Sequence, residues 1–198
     1  DVIYKWYEHW RGGVCVCVGG RDSLVLLHLA RTLHKNIPAL YCDTGLEFPE
    51  IRAFMKTVPM IQIVRPTVPF KEVLEKYGYP IISKRVARFL RDMQGNKDNA
   101  ATRNLRMTGK NRKGQTCVGM IIPKKWRFLL EAPFKISEEC CEWSKKRPLK
   151  QWQKKHNCHP MIGTMAADSN MRRREYLIHG CNIFEATSPI SRPLSIWK

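Results

Sequence analysis

Two glycines separate a β-branched run from an apolar helical pattern in the segment VCVGGRDSLVLLHLA, residues 16–30. The uncharged run over residues 13–18 predicts a buried strand. The apolar spacing of residues 22–35 predicts a largely buried helix that Asp22 or Ser23 can cap. Because the strand passes through a tight corner directly into a helix, this segment favours a parallel α/β sheet.

The same alternation of strands and helices continues along the chain. We therefore predict an α/β fold, with a doubly wound, mostly parallel sheet, helices on both faces and right-handed crossovers. The predicted strands lie at residues 13–18, 37–45, 60–66 and 159–166. The predicted helices lie at residues 2–10, 22–35, 48–58, 69–78, 83–93, 138–156 with a break at Pro148, and 168–180.

The chain has 198 residues, which is enough for one substantial core. We predict a single α/β nucleotide-binding domain over residues 1–198, with a basic and partly irregular insertion at about residues 84–125. The sequence does not begin with Met and stops on the apolar pattern PLSIWK, so we expect the natural protein to continue. No apolar run reaches the ~20 residues of a membrane span, and no secretory signal is visible. We therefore expect a cytoplasmic protein without a membrane partner.

The net charge of +18 is concentrated in one region. Residues 84–155 hold 20 Lys and Arg against 6 Asp and Glu, and Trp126, Trp143 and Trp152 lie among them. Such a field favours anionic partners, either phosphate-rich small molecules or nucleic acid. A solvated basic face without a partner is the alternative.

The glycine corner itself predicts a phosphate cradle. Ligands of open α/β sheets bind beyond the carboxyl ends of the strands, where a helix N-terminus presents its N–H groups and its positive dipole end. Gly19 and Gly20 can take a positive φ and let a ligand approach the backbone closely. Arg21 and Ser23 add donors suited to phosphate oxygens. The Walker A pattern is absent, and a tight turn without a ligand is the alternative.

Several segments resemble a known family in their order along the chain. VGGRDSLVLLHL resembles the S-G-G-x-D-S pyrophosphate loop (PP-loop) of the adenine-nucleotide α-hydrolase superfamily. Four later segments resemble the phosphoadenosine phosphosulfate (PAPS) reductase family, and most of all its bacterial and phage-type members of unassigned role. These segments are ALYCDTGLEFPEIRAFM, CCEWSKKRPL, IGTMAADSNMRR and PLSIW.

The resemblance implies an adenosine nucleotide at three clusters. The nucleotide is PAPS, adenosine phosphosulfate or ATP. The resemblance implies that the phosphates are held by Gly19, Gly20, Arg21, Asp22 and Ser23. It implies that the nucleotide is lined by Asp43, Thr44 and Gly45, and that its sulfate or phosphate end is faced by Asp168, Ser169 and Arg172.

A cysteine pair raises the question of a metal. In the iron–sulfur branch of the family, a Cys-Cys pair and a later Cys-x-x-Cys ligate a [4Fe–4S] cluster, and thiolate ligation suits iron. The resemblance thus implies Cys140 and Cys141 as ligands, with Cys181 as a third and Cys158 as a weaker candidate. The chain contains no Cys-x-x-Cys, so reduced structural cysteines are the alternative.

The family resemblance implies sulfonucleotide reduction, in which a thiolate attacks sulfur and a thioredoxin-like thiol donor completes the cycle. Three departures bear on this activity: Val18 replaces the usual Ser, Met165 replaces the usual Arg, and the reductases' C-terminal nucleophilic cysteine has no counterpart. No catalytic residue is assigned. Two other functions stay open, an enzyme or accessory of DNA or tRNA thiolation that binds nucleic acid through the basic region, and a nucleotide-binding module without catalysis.

Overall fold

The computed structural model describes residues 1–95, 99–182 and 184. Four parallel strands form one sheet in the order β3-β2-β1-β4, which confirms the predicted α/β fold class. The strands are β1 (Val14–Val18), β2 (Ala39–Cys42), β3 (Ile61–Val64) and β4 (His159–Ile162). The α-helices are α1 (Val2–His9), α2 (Arg21–Leu33), α3 (Pro49–Thr57), α4 (Phe70–Tyr77), α5 (Lys84–Gly95), α6 (Ala100–Thr108), α7 (Arg147–Lys155) and α8 (Asn170–His179). No helix in the described ranges is long and apolar enough to span a membrane.

The chain divides into two compact units. The first comprises residues 1–66 together with the described residues from 145 onward, and it contains the sheet. The second comprises residues 67–144. The single domain expected from the sequence stays a prediction.

The core of the first unit surrounds β1. Val14, Cys15 and Val16 are almost completely buried, because strands lie on both sides of β1 and apolar side chains pack against it. All four residues of β2 are buried as well. The continuous apolar runs of these strands are typical of a parallel sheet that is covered on both faces.

The second unit has its own core, built on one face of α5. Val86, Phe89 and Leu90 on that face pack with apolar residues that include Ile122 and Ile136. The sequence predicted irregular structure beyond residue 93, but residues 100–108 form α6. Its ends have clear signals, because Asn99 caps the first turn and Gly109 takes a left-handed conformation after the last one.

The helix predicted over residues 138–156 does not break at Pro148, so this part of the prediction is wrong. Pro148 lies in the first turn of α7, where the missing N–H of proline costs no hydrogen bond. A π-helical turn, Glu142–Lys146, comes directly before it. Strand β4 ends at Ile162, earlier than predicted, and a short 3₁₀ helix, Ala166–Asp168, follows.

Candidate functional site

Three of the polar segments singled out in the sequence follow strand ends at one edge of the sheet. Strand β1 lies between β2 and β4, with Val18 beside Tyr41 and Cys17 beside Ile162. The strands are parallel, so the loops that leave β1, β2 and β4 begin at the same edge. The chain progresses from β1 to β2 and β3 on one side and reaches β4 on the other, which makes the β1–β4 boundary a topological switch point.

The loop after β1, here called the glycine loop and comprising residues 19–23, is closed by its own serine. Ser23 Oγ accepts hydrogen bonds from the N–H groups of Gly19 and Gly20, at 3.0 and 3.1 Å. The same hydroxyl donates to the Gly20 carbonyl oxygen at 2.7 Å. Ser23 therefore holds the loop in shape, and its hydroxyl is already engaged within the chain.

Neither the backbone conformation of this loop nor its packing requires glycine at residue 19 or residue 20. The positive φ that glycine permits is not used here, because neither residue lies in the left-handed region and Gly20 is extended at φ −166°. A Cβ on Gly19 or Gly20 would meet no atom within 4 Å. What the glycines leave open is space outside the loop, where a ligand can approach the backbone.

The N-terminus of α2 points its free donors out of this loop. The first intrahelical bond joins Leu24 N to the Gly20 oxygen at 3.2 Å, so the N–H groups of Arg21, Asp22 and Ser23 precede the helical ladder. The Arg21 side chain is 93% exposed, and its Nε lies 3.9 Å from an Asp22 carboxylate oxygen. The loop thus combines N–H donors, a helix dipole and a solvent-facing guanidinium, which suits an anion.

A groove begins at this loop and runs between α2 and α3. Its volume is about 640 Å³, and its lining is mostly apolar. Gly19, Gly20 and Arg21 lie along it with Val25, Ile51 and Phe54. The open space beside the glycines is therefore a concavity that can hold a small molecule.

Gly163 fixes how closely the end of β4 approaches the start of α2. A Cβ at Gly163 would lie 2.7 Å from both N and Cα of Ser23 and 2.9 Å from the Asp22 carbonyl carbon. The neighbouring Thr164 carries a buried hydroxyl with no hydrogen-bond partner among the described residues. Both residues lie in the segment IGTMAADSNMRR, but no role was predicted for either, although the apolar-to-polar change at the end of the predicted strand is a signal that could have found them.

Asp43 is buried at the end of β2 and is held by two arginines. Its carboxylate accepts from Gly45 N at 3.1 Å, lies 3.0 Å from Arg52 Nε and contacts Arg65 Nε at 3.4 Å. Burial acts to raise the pKa of Asp43, but the hydrogen bonds from Arg52 and Gly45 outweigh it and hold the pKa below its ordinary value. Gly45 has φ +80°, so glycine is required in this turn. Asp43 thus fixes the turn.

Thr44 is engaged by Glu47, which the sequence analysis did not single out. Thr44 N and Oγ1 donate to the Glu47 carboxylate at 3.0 and 2.8 Å, and Lys145 Nζ lies 3.5 Å from the same carboxylate. Burial acts to raise the pKa of Glu47, but the Thr44 hydrogen bond lowers it below the ordinary value. The acid-rich LEFPE stretch was the available signal.

The third predicted cluster assembles at the start of α8. Ser169 Oγ accepts from Arg172 N at 3.2 Å, which confirms the predicted cap. Asp168 accepts from Met165 N at 2.9 Å and pairs with Arg172. The Met165 bond is the main reason that the pKa of Asp168 is lowered. No hydrogen bond among the described residues joins this cluster to the glycine loop.

Two other features singled out in the sequence are Val18 and the segment PLSIW. Val18 is buried in the core of the first unit, so a side chain at this position packs inward. The segment PLSIW lies outside the described residues.

The described residues do not assemble an iron–sulfur site. A [4Fe–4S] cluster takes four protein ligands, yet within residues 1–95, 99–182 and 184 no three His, Cys, Asp or Glu side chains are placed to hold a metal. Cys140 is half-buried and Cys141 is exposed. Burial, followed by the neighbouring Cys141, raises the pKa of the Cys140 thiol. An iron–sulfur cluster at Cys140, Cys141 and Cys181 is therefore not supported by the described residues.

Comparisons with known proteins agree with this picture over part of the chain. The phosphoadenosine phosphosulfate reductase domain family matches residues 13–80. Adenosine 5'-phosphosulfate reductase 2 of Bacillus subtilis (strain 168) is 32% identical over 84 residues, which cover 38% of this chain and 36% of that relative. The match thus spans about a third of the relative's length.

The sheet and its glycine loop define a parallel α/β protein with an anion-suited helix N-terminus at the switch point. Residues 13–80, which contain this loop and the Asp43 turn, are the part of the chain that matches the phosphoadenosine phosphosulfate reductase domain family.

Proposed function

We propose that the glycine loop binds the phosphate end of an adenosine phosphosulfate and that the protein takes part in sulfonucleotide reduction. The observation that carries this proposal is the open space at Gly19 and Gly20, which neither backbone conformation nor packing explains. The family match of residues 13–80 and the similarity to adenosine 5'-phosphosulfate reductase 2 of Bacillus subtilis suggest the class of nucleotide. ATP is the competing nucleotide.

The loop would bind phosphate through groups that are already in place. The N–H groups at the start of α2 and the Arg21 guanidinium donate to phosphate oxygens, while Ser23 keeps the glycine backbone in position. Gly163 holds the first turn of α2 against the end of β4, which limits how far the donors can move. Asp43 and Glu47 keep the neighbouring turn in shape, with Arg52, Arg65 and Lys145 balancing their charge.

The proposed reaction begins with a thiolate that attacks the sulfur of the phosphosulfate. A sulfur–sulfur bond forms, the sulfur–oxygen bond to phosphate breaks, and the nucleoside phosphate leaves with the electron pair. A thioredoxin-like dithiol then attacks the modified thiol, which releases sulfite and leaves the donor as a disulfide. In the described first unit Cys42 is a poor candidate for the attacking thiolate, because burial raises its pKa to about 11.

The test compares two glycine variants with a matched control. Gly19→Ala and Gly20→Ala add one methyl group to open space, so we expect unfolding stability to change by less than about 1 kcal/mol. A methyl group where a phosphate approaches should displace charged hydrogen bonds and weaken binding of adenosine phosphosulfate about 10- to 100-fold. Gly95→Ala is the control, because Gly95 also lacks neighbours within 4 Å and lies in the second unit.

Isothermal titration of the whole chain measures these affinities. Loss of affinity in the loop variants, with the control unchanged, supports the proposal. Unchanged affinity in both loop variants means that phosphate binds elsewhere. Sulfite release under a dithiol reductant then separates a reductase from a nucleotide-binding module without turnover.

A further inference from the structure

The second unit carries positive charge that its own carboxylates do not balance. Residues 84–127 contain 13 Lys and Arg against 2 Asp and Glu. Of these two acids, Asp92 lies in the described residues, and its carboxylate already pairs with two arginines. Arg106 Nη2 lies 2.6 Å from one of its oxygens, and Arg91 Nη2 lies 3.6 Å from the other. Arg91 also pairs with Glu138 and Glu139, at 3.1 and 2.9 Å. The other described cations of this stretch that are exposed to solvent include Lys84, Arg85, Arg88, Lys110, Arg112 and Lys113.

Part of this charge lies on the exposed face of α5. Lys84, Arg85 and Arg88 are exposed there, while the opposite face is buried in the core of the second unit. These cations are three and four residues apart, so they repel one another, and Lys84 and Arg85 stand at the positive end of the helix dipole. Within an isolated protein this placement is unfavourable, and a bound anion would relieve it.

A second group of cations lies on the loop that follows α6. Lys110, Arg112 and Lys113 are exposed on it. Asn111 holds the loop, because its Oδ1 accepts from the backbone N–H groups of Lys113 and Gln115, both at 2.9 Å. The backbone is thus fixed while the charged side chains extend from it.

Close contacts connect this loop to α6 and to α5. The loop closes on α6 through a hydrogen bond from Cys117 N to the Gly109 oxygen at 2.7 Å. Two residues further on, a Cβ at Gly119 would lie 3.5 Å from Arg85 Nη1. The segment that ends this loop therefore lies beside Arg85 on the exposed face of α5. We call Lys84, Arg85, Arg88, Lys110, Arg112 and Lys113 together the basic surface.

Aromatic rings lie on the segment that follows the loop. Phe128 is 68% exposed, and Trp126 is half-buried with Lys125 Nζ 5.2 Å from its ring centroid. Arg127 secures this segment to the end of α6, since its Nη2 donates to the Met107 oxygen at 2.8 Å. An exposed aromatic ring among cations provides a stacking surface that an acidic peptide or a lipid headgroup does not need.

We propose that the basic surface binds single-stranded nucleic acid, with phosphates on its Lys and Arg side chains and a base stacked on Phe128. Exposed cations and a solvent-facing aromatic ring, both carried by the second unit, are the combination that such binding uses. Single strands fit better than a duplex because only unpaired bases offer their faces to a ring. This proposal does not rest on the proposed function, and Gly20→Ala should leave nucleic-acid binding unchanged.

The test measures fluorescence anisotropy of a labelled 20-nucleotide poly-dT with the whole chain at 50 to 200 mM NaCl. Each phosphate contact contributes about −0.7 to the slope of log affinity against log salt, so three to six contacts predict a slope of about −2 to −4. The double variant Arg112→Ala/Lys113→Ala should make the slope shallower by about 1.4. Phe128→Ala should weaken binding about 5- to 100-fold and leave the salt slope unchanged.

A matched control separates a local surface from net charge. Lys71→Ala/Lys76→Ala removes the same charge from α4 in the same unit, and it should change affinity less than twofold. Equal loss in both double variants overturns the proposal, as does the absence of poly-dT binding at 50 mM NaCl. Equal affinity for polyglutamate, or for phosphatidylglycerol vesicles, also overturns it. Thermal unfolding of each variant shows whether it is folded.

Discussion

Replacing Gly163 with alanine should destabilise the protein through one close contact. The new Cβ would lie 2.7 Å from Ser23 N and Cα, whereas ordinary contacts begin near 3.4 Å. The end of β4 and the first turn of α2 would therefore have to separate by about 0.7 Å. All three close atoms belong to the backbone, so no side chain can move aside. Overpacking of this kind costs about 1–3 kcal/mol.

Urea unfolding followed by circular dichroism measures this cost. With a denaturant slope of about 2 kcal/mol/M, the midpoint should fall by about 0.5–1.5 M. Gly95→Ala is the control, since a Cβ there meets nothing within 4 Å and its midpoint should not fall. A Gly163→Ala midpoint within 0.2 M of the parent would refute the inferred contact between β4 and α2.

Three further predictions concern the turn after β2. Asp43→Asn should cost about 2 kcal/mol at pH 7, below the range for fully buried pairs because Arg52 is 39% exposed. Because the folded-state pKa of Asp43 is lowered, the stability that its carboxylate contributes is present above the unfolded-state pKa and is lost as pH falls through the folded-state pKa. The unfolding curves of the parent protein and of Asp43→Asn should therefore converge in acid. Glu47→Gln should cost about 1 kcal/mol in thermal unfolding and Thr44→Val a similar amount. The double variant should be less than additive, because both substitutions act on the hydrogen bond between Thr44 Oγ1 and the Glu47 carboxylate. Cys42 should react with iodoacetamide at pH 7.5 at least ~100-fold more slowly than a free thiol, as mass spectrometry of the labelled peptides would show, because its pKa of about 11 leaves little thiolate.

Periodicity was sufficient to predict the architecture of the sheet. The strands are short uncharged runs and the helices that follow them are strongly patterned, so the strand–helix alternation and the parallel sheet could be inferred. The helix at residues 100–108 could not, because its polar composition gives weak periodicity and its stability depends on a cap and on packing with α5. The position of Pro148 was misjudged because a proline in a first helical turn and a proline that ends a helix look alike in sequence.

The candidate site was predicted in its residues more than in its contacts. Motif spacing singled out Gly19, Gly20 and Asp43, but it could not show that neither glycine adopts the positive φ that glycine permits. Spacing could not show that Ser23 accepts from both glycines. Nor could it show that Gly163 packs against Ser23, because that contact joins residues 140 positions apart and depends on β4 lying next to β1.

The most direct test of the central claim is to follow backbone amide resonances of ¹⁵N-labelled protein while adenosine phosphosulfate is added. The account predicts saturable shifts at Gly19, Gly20 and Arg21, with smaller shifts at Gly163, and weaker shifts of the same amides with ATP. Saturable shifts confined to other residues, or no shifts at millimolar nucleotide, would contradict the claim that the glycine loop is a phosphosulfate site.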